Sequence, residues 1–373
     1  MRRQRRVTPP DLPRGRPRRH GDDRPGGGAP CMTPAAQRIG RPMPAFWVGT
    51  YATRGGAGLT PLIRASGYEM GAPIPAVQNV SFGVRSRRRT LLYLVDEQGG
   101  AIGVFRRDAQ LALCARVAAG GEAPCYMALD ANERRLAVAH YASGSVALFT
   151  LDPQTGLPRG EPVLWRASGH GPDPHRQEAP HIHCVCFGPD GRLFVVDLGT
   201  DRIIALDPAD LGRPSVAFTA PGGSGLRHLV FHPRSAIAYL ISELASTVTV
   251  LSIEGATFGE RQRLSTLPPG TSGESLGGHL GINAAGDRLY VTNRGHDSIG
   301  VFAIEGARLS PLQHVPSGGA SPRFFHLDEA AREMLVAHEE QGGVTRFSIK
   351  DDGTLARQPG RLDIAGAVFI VAA

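Results

Sequence analysis

Histidines concentrated ahead of one apolar segment are the first candidates for chemistry in this sequence. The segment 170–183 contains His170, His175, His181 and His183. Imidazole nitrogens are common metal ligands and proton acceptors. A metal centre here would also need carboxylates, and the segment offers only Asp173 and Glu178. Histidines spaced in this way on a loop that leads into a strand are not diagnostic of a metal site, so we expect no bound metal.

The motifs of several other reaction classes are missing from the sequence. The glycine-rich stretches GGSG (222–225) and GGAG (55–58) lack the lysine and the helix of a phosphate-binding P-loop. No G-x-S-x-G stretch precedes a predicted helix, which argues against a serine hydrolase. The five cysteines lack the spacing of a disulfide framework or a zinc site, which favours a reduced compartment. We expect no organic cofactor.

The elements that must position any functional residues are predicted to be β-strands throughout. Short apolar runs rich in β-branched and aromatic residues recur between turns that contain glycine or aspartate. These runs are Phe46–Tyr51, Thr90–Asp96, Arg135–Leu151, Arg192–Leu206, Ala236–Ile253, Asp287–Ile304 and Glu333–Ile349. Their starts fall roughly 45–57 residues apart, which is about the length of one four-stranded propeller blade.

Seven such repeats predict an all-β fold, a seven-bladed β-propeller of four-stranded antiparallel blades that spans residues 44–373. We expect the apolar strand around Val368–Val371 to join the blade that contains Phe46–Tyr51, because ring closure removes exposed sheet edges. Two stacked β-sandwiches would account poorly for the sevenfold recurrence.

Charge is distributed unevenly between the N-terminal segment and the rest of the chain. The 373 residues include 41 Lys and Arg against 34 Asp and Glu. Residues 1–43 hold 11 arginines and three aspartates, a net charge of +8, and the remainder has a net charge of −1. This near-neutral remainder lacks the basic surface that binds nucleic acid. The Arg-, Pro- and Gly-rich segment 1–43 is predicted to be disordered.

No part of the sequence predicts export or membrane insertion. The N-terminus lacks the apolar run of a signal peptide. No stretch approaches the roughly 20 apolar residues of a membrane-spanning helix. We therefore expect a cytoplasmic protein, a monomer or weak homo-oligomer, that binds neither nucleic acid nor membranes.

Three long stretches resemble the lactonase family of seven-bladed β-propellers. They are HIHCVCFGPDGRLFVVDLGTDRI (181–203), GSGLRHLVFHPRSAIAYLISELASTVTV (223–250) and DRLYVTNRGHDSIGVF (287–302). With weaker matches, the resemblance covers nearly all of residues 46–373. It implies a site at the propeller axis, whose histidine, glutamate and two arginines fall on His183, Glu243, Arg227 and Arg294.

Three neighbours of these residues depart from the family pattern. Leu226 replaces the usual proline, and His140 and Ser242 replace usual asparagines. None of the ionisable site residues is lost. Because neighbouring residues shape a pocket, the departures leave the substrate less well defined.

The chemistry that the resemblance implies is the hydrolysis of a sugar lactone, a small-molecule substrate. Opening a lactone needs an activated water molecule and donors that hold the developing oxyanion. His183 or Glu243 would activate the water, while Arg227 and Arg294 would bind the lactone oxygen and a substrate phosphate, in either order. Further substrate contacts are predicted for His181, His279 and His296.

Three functions remain open at this point. The first is hydrolysis of 6-phospho-D-glucono-1,5-lactone to 6-phosphogluconate in the pentose phosphate pathway of glucose metabolism. The second is a lactonizing or lactone-opening enzyme of the carboxymuconate type. The third is a non-catalytic propeller that binds a protein partner, since one fold supports many functions. Each site residue also has a structural interpretation; Glu243, for example, could form an ion pair that only braces the fold.

Overall fold

The strands form seven antiparallel sheets, each of four strands. The structure is a computed structural model that describes residues 43–107 and 111–373. Apart from Met43, the segment 1–43 that is predicted to be disordered lies outside the described residues. Within the described ranges, no helix is long and apolar enough to cross a membrane.

The strands of the first four blades follow one another along the chain. Blade 1 begins with β1 (Phe46–Thr50), β2 (Thr60–Arg64) and β3 (Tyr68–Met70), with a 3-10 helix at Ala52–Arg54. Blade 2 comprises β4 (Gly83–Arg85), β5 (Leu91–Asp96), β6 (Ala101–Arg107) and β7 (Leu111–Ala118). Blade 3 comprises β8 (Pro124–Leu129), β9 (Arg135–His140), β10 (Ser145–Leu151) and β11 (Pro158–Arg166). Blade 4 comprises β12 (Ile182–Phe187), β13 (Leu193–Asp197), β14 (Arg202–Asp207) and β15 (Asp210–Thr219).

The remaining strands complete the ring. Blade 5 comprises β16 (Leu226–Phe231), β17 (Ile237–Ser242), β18 (Thr247–Glu254) and β19 (Thr257–Ser265). Blade 6 comprises β20 (Leu276–Ile282), β21 (Arg288–Arg294), β22 (Ser298–Glu305) and β23 (Arg308–Pro316). Blade 7 comprises β24 (Ala320–Asp328), β25 (Glu333–Gln341), β26 (Val344–Ile349) and β27 (Leu355–Arg357). The last strand is β28 (Ala367–Ala372).

Blade 1 combines the two ends of the described fold. Strand β28 pairs antiparallel with β1, with Val371 opposite Trp47 and Ile370 opposite Val48, so that the blade has the order β28-β1-β2-β3. The prediction of a closed seven-bladed propeller is therefore confirmed, including the strand that closes it. Closure leaves the innermost strands β4, β8, β12, β16, β20, β24 and β28 as neighbours around the axis.

The burial of a strand depends on its position within the blade. Middle strands such as β13 are buried along their whole length, because neighbouring blades cover both faces of the sheet. This explains their continuous apolar sequences, such as LFVVD in β13. Outermost strands such as β11 are mostly exposed. The blades thus form a rigid apolar ring that holds the inner strands in place.

A β-bulge recurs near the start of the inner strands. In five blades the pairing between the inner and second strands skips a residue of the inner strand, and these skipped residues include Cys125, His183, Arg227, Arg323 and Val368. Blade 6 has a similar irregularity at Gly278 and His279. A bulge redirects a side chain out of the regular alternation. The same local device therefore presents one residue from each of several blades at the same height near the axis.

Candidate active site

The four residues singled out by the family resemblance come from three consecutive blades and meet on one face. His183 and Arg227 occupy the bulges of β12 and β16, where these inner strands begin. Glu243 directly follows β17, and Arg294 is the last residue of β21. Inner strands begin and second strands end on the same side of the ring, which we call the site face. The predicted convergence of the four residues is therefore present.

Glu243 is the centre of this group. One carboxylate oxygen, Oε2, forms an ion pair with Arg294 Nη2 at 2.6 Å and accepts a hydrogen bond from Arg227 Nε at 3.0 Å. The other oxygen, Oε1, accepts a hydrogen bond from Arg176 Nη2 at 2.5 Å. The side chain of Glu243 is only 3% exposed. A carboxylate buried to this degree needs charged partners, and here three guanidinium groups supply them. We call Glu243, these arginines and His183 the first cluster.

The three arginines decide the charge state of the carboxylate. Burial alone would raise the pKa of Glu243, but Arg294 and Arg227, with smaller effects of His183 and Arg176, hold it well below its ordinary value. Glu243 is therefore ionised at neutral pH, and it is a weak proton acceptor. Its main effect is to hold the guanidinium groups in fixed positions, which is preorganisation of the kind that favours electrostatic catalysis.

His183 stands beside the carboxylate without a close hydrogen bond to it. Its Nε2 lies 3.9 Å from Glu243 Oε2. The edge of its ring faces Tyr141, with centroids 5.7 Å apart. Among the described residues, its buried Nδ1 has no hydrogen-bond partner. Burial, and then the charge of Arg227, lower the pKa of His183 well below its ordinary value, so the imidazole is neutral at pH 7 and can accept a proton.

Backbone carbonyls of blade 6 fix two of the arginines. Arg227 Nη1 donates to Gly278 O at 2.5 Å, and Arg294 Nη2 donates to Gly277 O at 3.1 Å. A Cβ atom at Gly277 would stand 2.5 Å from Ser242 O, and one at Gly278 would stand 2.4 Å from Thr292 Oγ1. Larger residues would therefore displace these carbonyls and with them the guanidinium groups.

The three arginine side chains differ in exposure. Arg227 is 2% exposed, Arg294 is 11% exposed and Arg176 is 33% exposed. Burial and the charge of Arg294 lower the pKa of Arg227, while the contact with Glu243 favours its charged form. The cluster therefore has one deeply buried cation and two that lie nearer to solvent.

The histidines predicted to add substrate contacts lie in three different surroundings. His181 stacks on Tyr141 with centroids 4.5 Å apart, and its Nε2 lies 3.1 Å from Glu178 Oε1. His279 lies at the axis, where its Nδ1 is 3.1 Å from His228 Nδ1. The structure therefore places His181 beside the first cluster and His279 beneath it. In the described part of the chain, neither His181 nor His279 contacts Glu243.

His296 is the predicted site residue that the structure does not bring to the cluster. It is exposed, and its Nδ1 bonds to Ser298 Oγ at 2.7 Å within its own turn between β21 and β22. Proximity to Arg294 in sequence therefore did not place it near Glu243. Its role as a substrate contact stays a prediction without support from a contact in the described part of the chain.

Arg176 is a site residue that the sequence reasoning missed. It belongs to the long loop between β11 and β12, whose histidines drew attention to metal binding instead. The loop is held by Gln177, whose Nε2 donates to Leu198 O at 2.8 Å, and by Asp173, whose Oδ1 accepts from Arg176 N at 3.1 Å. Loops lack the sequence periodicity of helices and strands, so no sequence pattern predicts this contact. Within residues 43–107 and 111–373, no group of three or more His, Cys, Asp or Glu side chains could hold a metal ion.

A ring of aromatic side chains surrounds the axis next to the bulges. Six blades contribute one ring each, namely Phe82, Tyr126, His228, His279, Phe324 and Phe369. Successive centroids lie between 3.7 Å (Phe82 to Tyr126) and 5.2 Å (Phe369 to Phe82) apart. These rings lie beneath the first cluster, and we call the axial space above them, on the site face, the funnel.

Comparison with known proteins gives a consistent result. Residues 45–372 match the family model described as "Lactonase, 7-bladed beta-propeller". A 6-phosphogluconolactonase of Bacillus subtilis is 29% identical over 340 residues, which cover 87% of this chain and 97% of that protein. The uncharacterized protein YwcC of Lactococcus lactis is 33% identical over 291 residues, which cover 76% of this chain and 84% of that protein.

Solved structures agree with this result. The periplasmic gluconolactonase PpgL of Pseudomonas aeruginosa superposes with a TM-score of 0.80 at 26% identity, over 88% of this chain and 98% of that one. A putative 6-phosphogluconolactonase of Bacteroides fragilis superposes with a TM-score of 0.78 at 25% identity, over 88% of this chain and 97% of that one.

Proposed function

This chain belongs to the lactonase family of seven-bladed β-propellers, and from that premise we propose that it is a 6-phosphogluconolactonase. In this proposal it hydrolyses 6-phospho-D-glucono-1,5-lactone to 6-phosphogluconate and so serves the pentose phosphate pathway. The cytoplasmic location predicted from the sequence is part of the same proposal, because the substrate is a phosphorylated metabolite.

The observation that carries the proposal is the charge of the first cluster. Three guanidinium groups, those of Arg176, Arg227 and Arg294, surround a single carboxylate. With His183 neutral, the cluster has a net charge of about +2 at pH 7. An excess of fixed positive charge at the base of a funnel favours an anionic ligand, and guanidinium groups bind phosphate in particular.

The depth of each arginine suggests its part in the reaction. Arg227, the most buried, lies close to His183 and suits the oxygen of the lactone carbonyl. Arg294 and Arg176 lie nearer to solvent and suit the phosphate at the far end of the substrate. Interactions that strengthen as charge develops on the carbonyl oxygen accelerate the reaction, whereas the phosphate contacts supply binding and orientation.

His183 is the proton acceptor in this mechanism. It removes a proton from a water molecule as the water oxygen attacks the lactone carbonyl carbon, and Glu243, 3.9 Å away, stabilises the imidazolium that forms. The bond between the carbonyl carbon and the ring oxygen then breaks. The ring oxygen takes the proton from His183 and becomes the hydroxyl of the open-chain acid, so one water is consumed and the imidazole is regenerated.

A carboxylated lactone of the muconate type would meet the same positive charge. The phosphorylated sugar lactone is preferred because the Bacillus subtilis relative, which is matched over 97% of its length, is a 6-phosphogluconolactonase. A non-catalytic propeller is less well supported, since a buried ion cluster has a desolvation cost and a protein-binding surface does not require one.

The proposal is tested by the kinetics of lactone hydrolysis, corrected for the spontaneous rate. The substrates are 6-phospho-D-glucono-1,5-lactone, its unphosphorylated counterpart and a muconolactone. We expect the highest kcat/KM for the phosphorylated lactone.

Glu243→Gln should lower kcat/KM for the phosphorylated lactone by about 100-fold or more, because the arginines lose their common anchor. Glu333→Gln, which changes a carboxylate far from the axis, is the matched control and should leave it nearly unchanged. Turnover of the muconolactone alone, or of none of the three, would overturn the proposal.

A further inference from the structure

The site face carries a second set of polar residues at positions equivalent to those of the first cluster. Equivalent residues lie at or near the end of each second strand; in chain order they are Tyr51, Glu97, Tyr141, Leu198, Glu243, Arg294 and Glu339. In blades 1 to 5, the backbone N–H of the residue at this position donates to a backbone carbonyl that lies shortly before the inner strand of the same blade. Glu243 and Arg294 belong to the first cluster, whereas Tyr51, Glu97 and Glu339 come from blades 1, 2 and 7.

Arg323 joins these three residues into a second cluster. It occupies the bulge of β24, the position that Arg227 has in β16. Arg323 Nη1 donates to Glu339 Oε2 at 3.1 Å, and its guanidinium lies over the ring of Tyr51, 5.3 Å from the centroid. Tyr51 Oη in turn donates to Glu97 Oε2 at 2.6 Å. We call Arg323, Glu339, Tyr51 and Glu97 the second cluster.

The two clusters face each other across one funnel. Phe324, the residue after Arg323, stacks on His279 with centroids 4.1 Å apart. His279 bonds to His228, the residue after Arg227. The bulges that present the two arginines are therefore linked through three rings of the funnel floor. Burial disfavours the charged form of Arg323, but the nearby Tyr51, Glu339 and Glu97, with a smaller effect of Glu243, raise its pKa above the ordinary value.

The second cluster differs from the first in the balance of charge and in its free acceptors. Glu339 Oε1 also lies 3.9 Å from Arg54 Nε, so the two carboxylates stand with the guanidinium groups of Arg323 and Arg54, and the net charge is near zero. Among the contacts of the described residues, Glu97 Oε1 has no hydrogen-bond partner, and Arg323 uses only Nη1. The side chains of Arg323 and Glu339 are each 15% exposed. Carboxylate oxygens beside free N–H groups suit hydroxyl groups, which both donate and accept hydrogen bonds.

The geometry points to a subsite in which Glu97, Glu339 and Arg323 bind the hydroxyl groups of a polyhydroxylated substrate while the first cluster holds its anionic end. This inference rests on the proposed function and narrows it, because it assigns the substrate to hydroxylated, anionic lactones. A muconolactone has no hydroxyl groups to fill such a subsite. No role in the chemical step is assigned to these residues; they determine specificity.

Calorimetric binding of two stable ligands tests the subsite without requiring turnover. The probes are 6-phosphogluconate and 6-phosphohexanoate, which carry the same charged ends but differ in their hydroxyl groups. The full-length wild-type protein should bind 6-phosphogluconate about 10-fold more tightly or better. Glu97→Gln should weaken 6-phosphogluconate binding by about 10-fold, the effect of one charge-assisted hydrogen bond, and change 6-phosphohexanoate binding by less than about twofold.

The chain offers a matched control in a second tyrosine–glutamate pair. Tyr68 Oη donates to Glu333 Oε2 at 2.8 Å, between blades 1 and 7 but at the outer part of the ring. Glu333→Gln removes the same charge and a similar hydrogen bond at a distance from the funnel. It should leave the affinity for both ligands unchanged, which separates a local effect from a change in the stability of the blades.

The outcomes test the subsite separately from the proposed function. Selective weakening by Glu97→Gln supports the subsite, even if the protein hydrolyses no lactone and the proposed function fails. Equal effects on both ligands, no effect on either, or wild-type binding that does not distinguish them would overturn the subsite, even if hydrolysis is observed. If Glu97→Gln does not fold, the difference between the wild-type affinities for the two ligands still tests the subsite.

Discussion

The two walls of the funnel are built on equivalent backbone positions yet differ in charge. On one wall, three arginines contact the single carboxylate of Glu243. On the other, Arg323 contacts Glu339 and lies over Tyr51, which donates to Glu97. The first wall suits an anion and the second suits hydroxyl groups. The repeat supplies the positions, and the residue types at those positions give each wall its chemistry.

This difference shows why a regular fold can hold an irregular site. The buried middle strands are nearly interchangeable apolar segments, because each packs between two similar neighbours. The bulges and strand ends are not fixed by that packing, since their side chains leave the ladder for the funnel. Substitution at these positions can therefore change the chemistry without changing the propeller.

The largest effect is expected for removal of the carboxylate on the cationic wall. Glu243→Ala leaves three guanidinium groups without their common partner. We expect kcat/KM for the phosphorylated lactone to fall by about 1,000-fold, and the free energy of unfolding to fall by about 3–5 kcal/mol, as for other broken buried ion pairs. Denaturant unfolding and kinetics measure the two effects. If both values stay near wild type, Glu243 does not organise the wall.

An intermediate effect is expected from the titration of His183, which only the cationic wall contains. Its neutral form is the active one, so activity is lost as pH falls through its pKa. Because burial and Arg227 lower that pKa, the profile of kcat/KM should stay flat from pH 8 to below 6.5, and fall tenfold per pH unit only at lower pH. His183→Ala should lower kcat by about 100-fold. An acid limb near or above pH 6.5 would contradict the assignment of His183.

The smallest effect is expected outside both walls. Arg64 forms an exposed ion pair with Asp328, 2.5 Å apart, on the outer part of the ring between blades 1 and 7. Exposed pairs contribute about 0–1 kcal/mol to stability. Arg64→Ala should therefore change kcat/KM by less than about twofold and should not alter the preference for phosphate. A clear loss of that preference would show that long-range charge, and not the first cluster, selects the substrate.

The fold was largely predictable because its signals are local and repeated. Strand-forming runs at blade spacing indicated seven blades, and the apolar run at Val368–Val371 indicated the closing strand. The convergence of His183, Arg227, Glu243 and Arg294 followed from the family resemblance. The bulges were not predictable, because strict strand alternation would place His181 and His183 on one face, whereas the pairing of β12 skips His183.

The residues that the sequence did not indicate depend on loop conformation or on the repeat. Arg176 reaches Glu243 only because Gln177 and Asp173 hold its loop. Arg323 could have been found by comparing SPRFF (321–325) with GLRHL (225–229), since both place an arginine at the bulge. His296, whose Nδ1 bonds to Ser298 Oγ within its own turn, stays a prediction.

The most direct test of the central claim is the ratio of kcat/KM for 6-phospho-D-glucono-1,5-lactone to that for D-glucono-1,5-lactone, measured in the wild type and in Arg176→Ala. If the arginines around Glu243 recognise the anionic end, the wild-type ratio should exceed about 10. In the variant it should fall toward one, while hydrolysis of the unphosphorylated lactone stays within about threefold. A wild-type ratio near one, or a ratio that Arg176→Ala does not change, would contradict the claim.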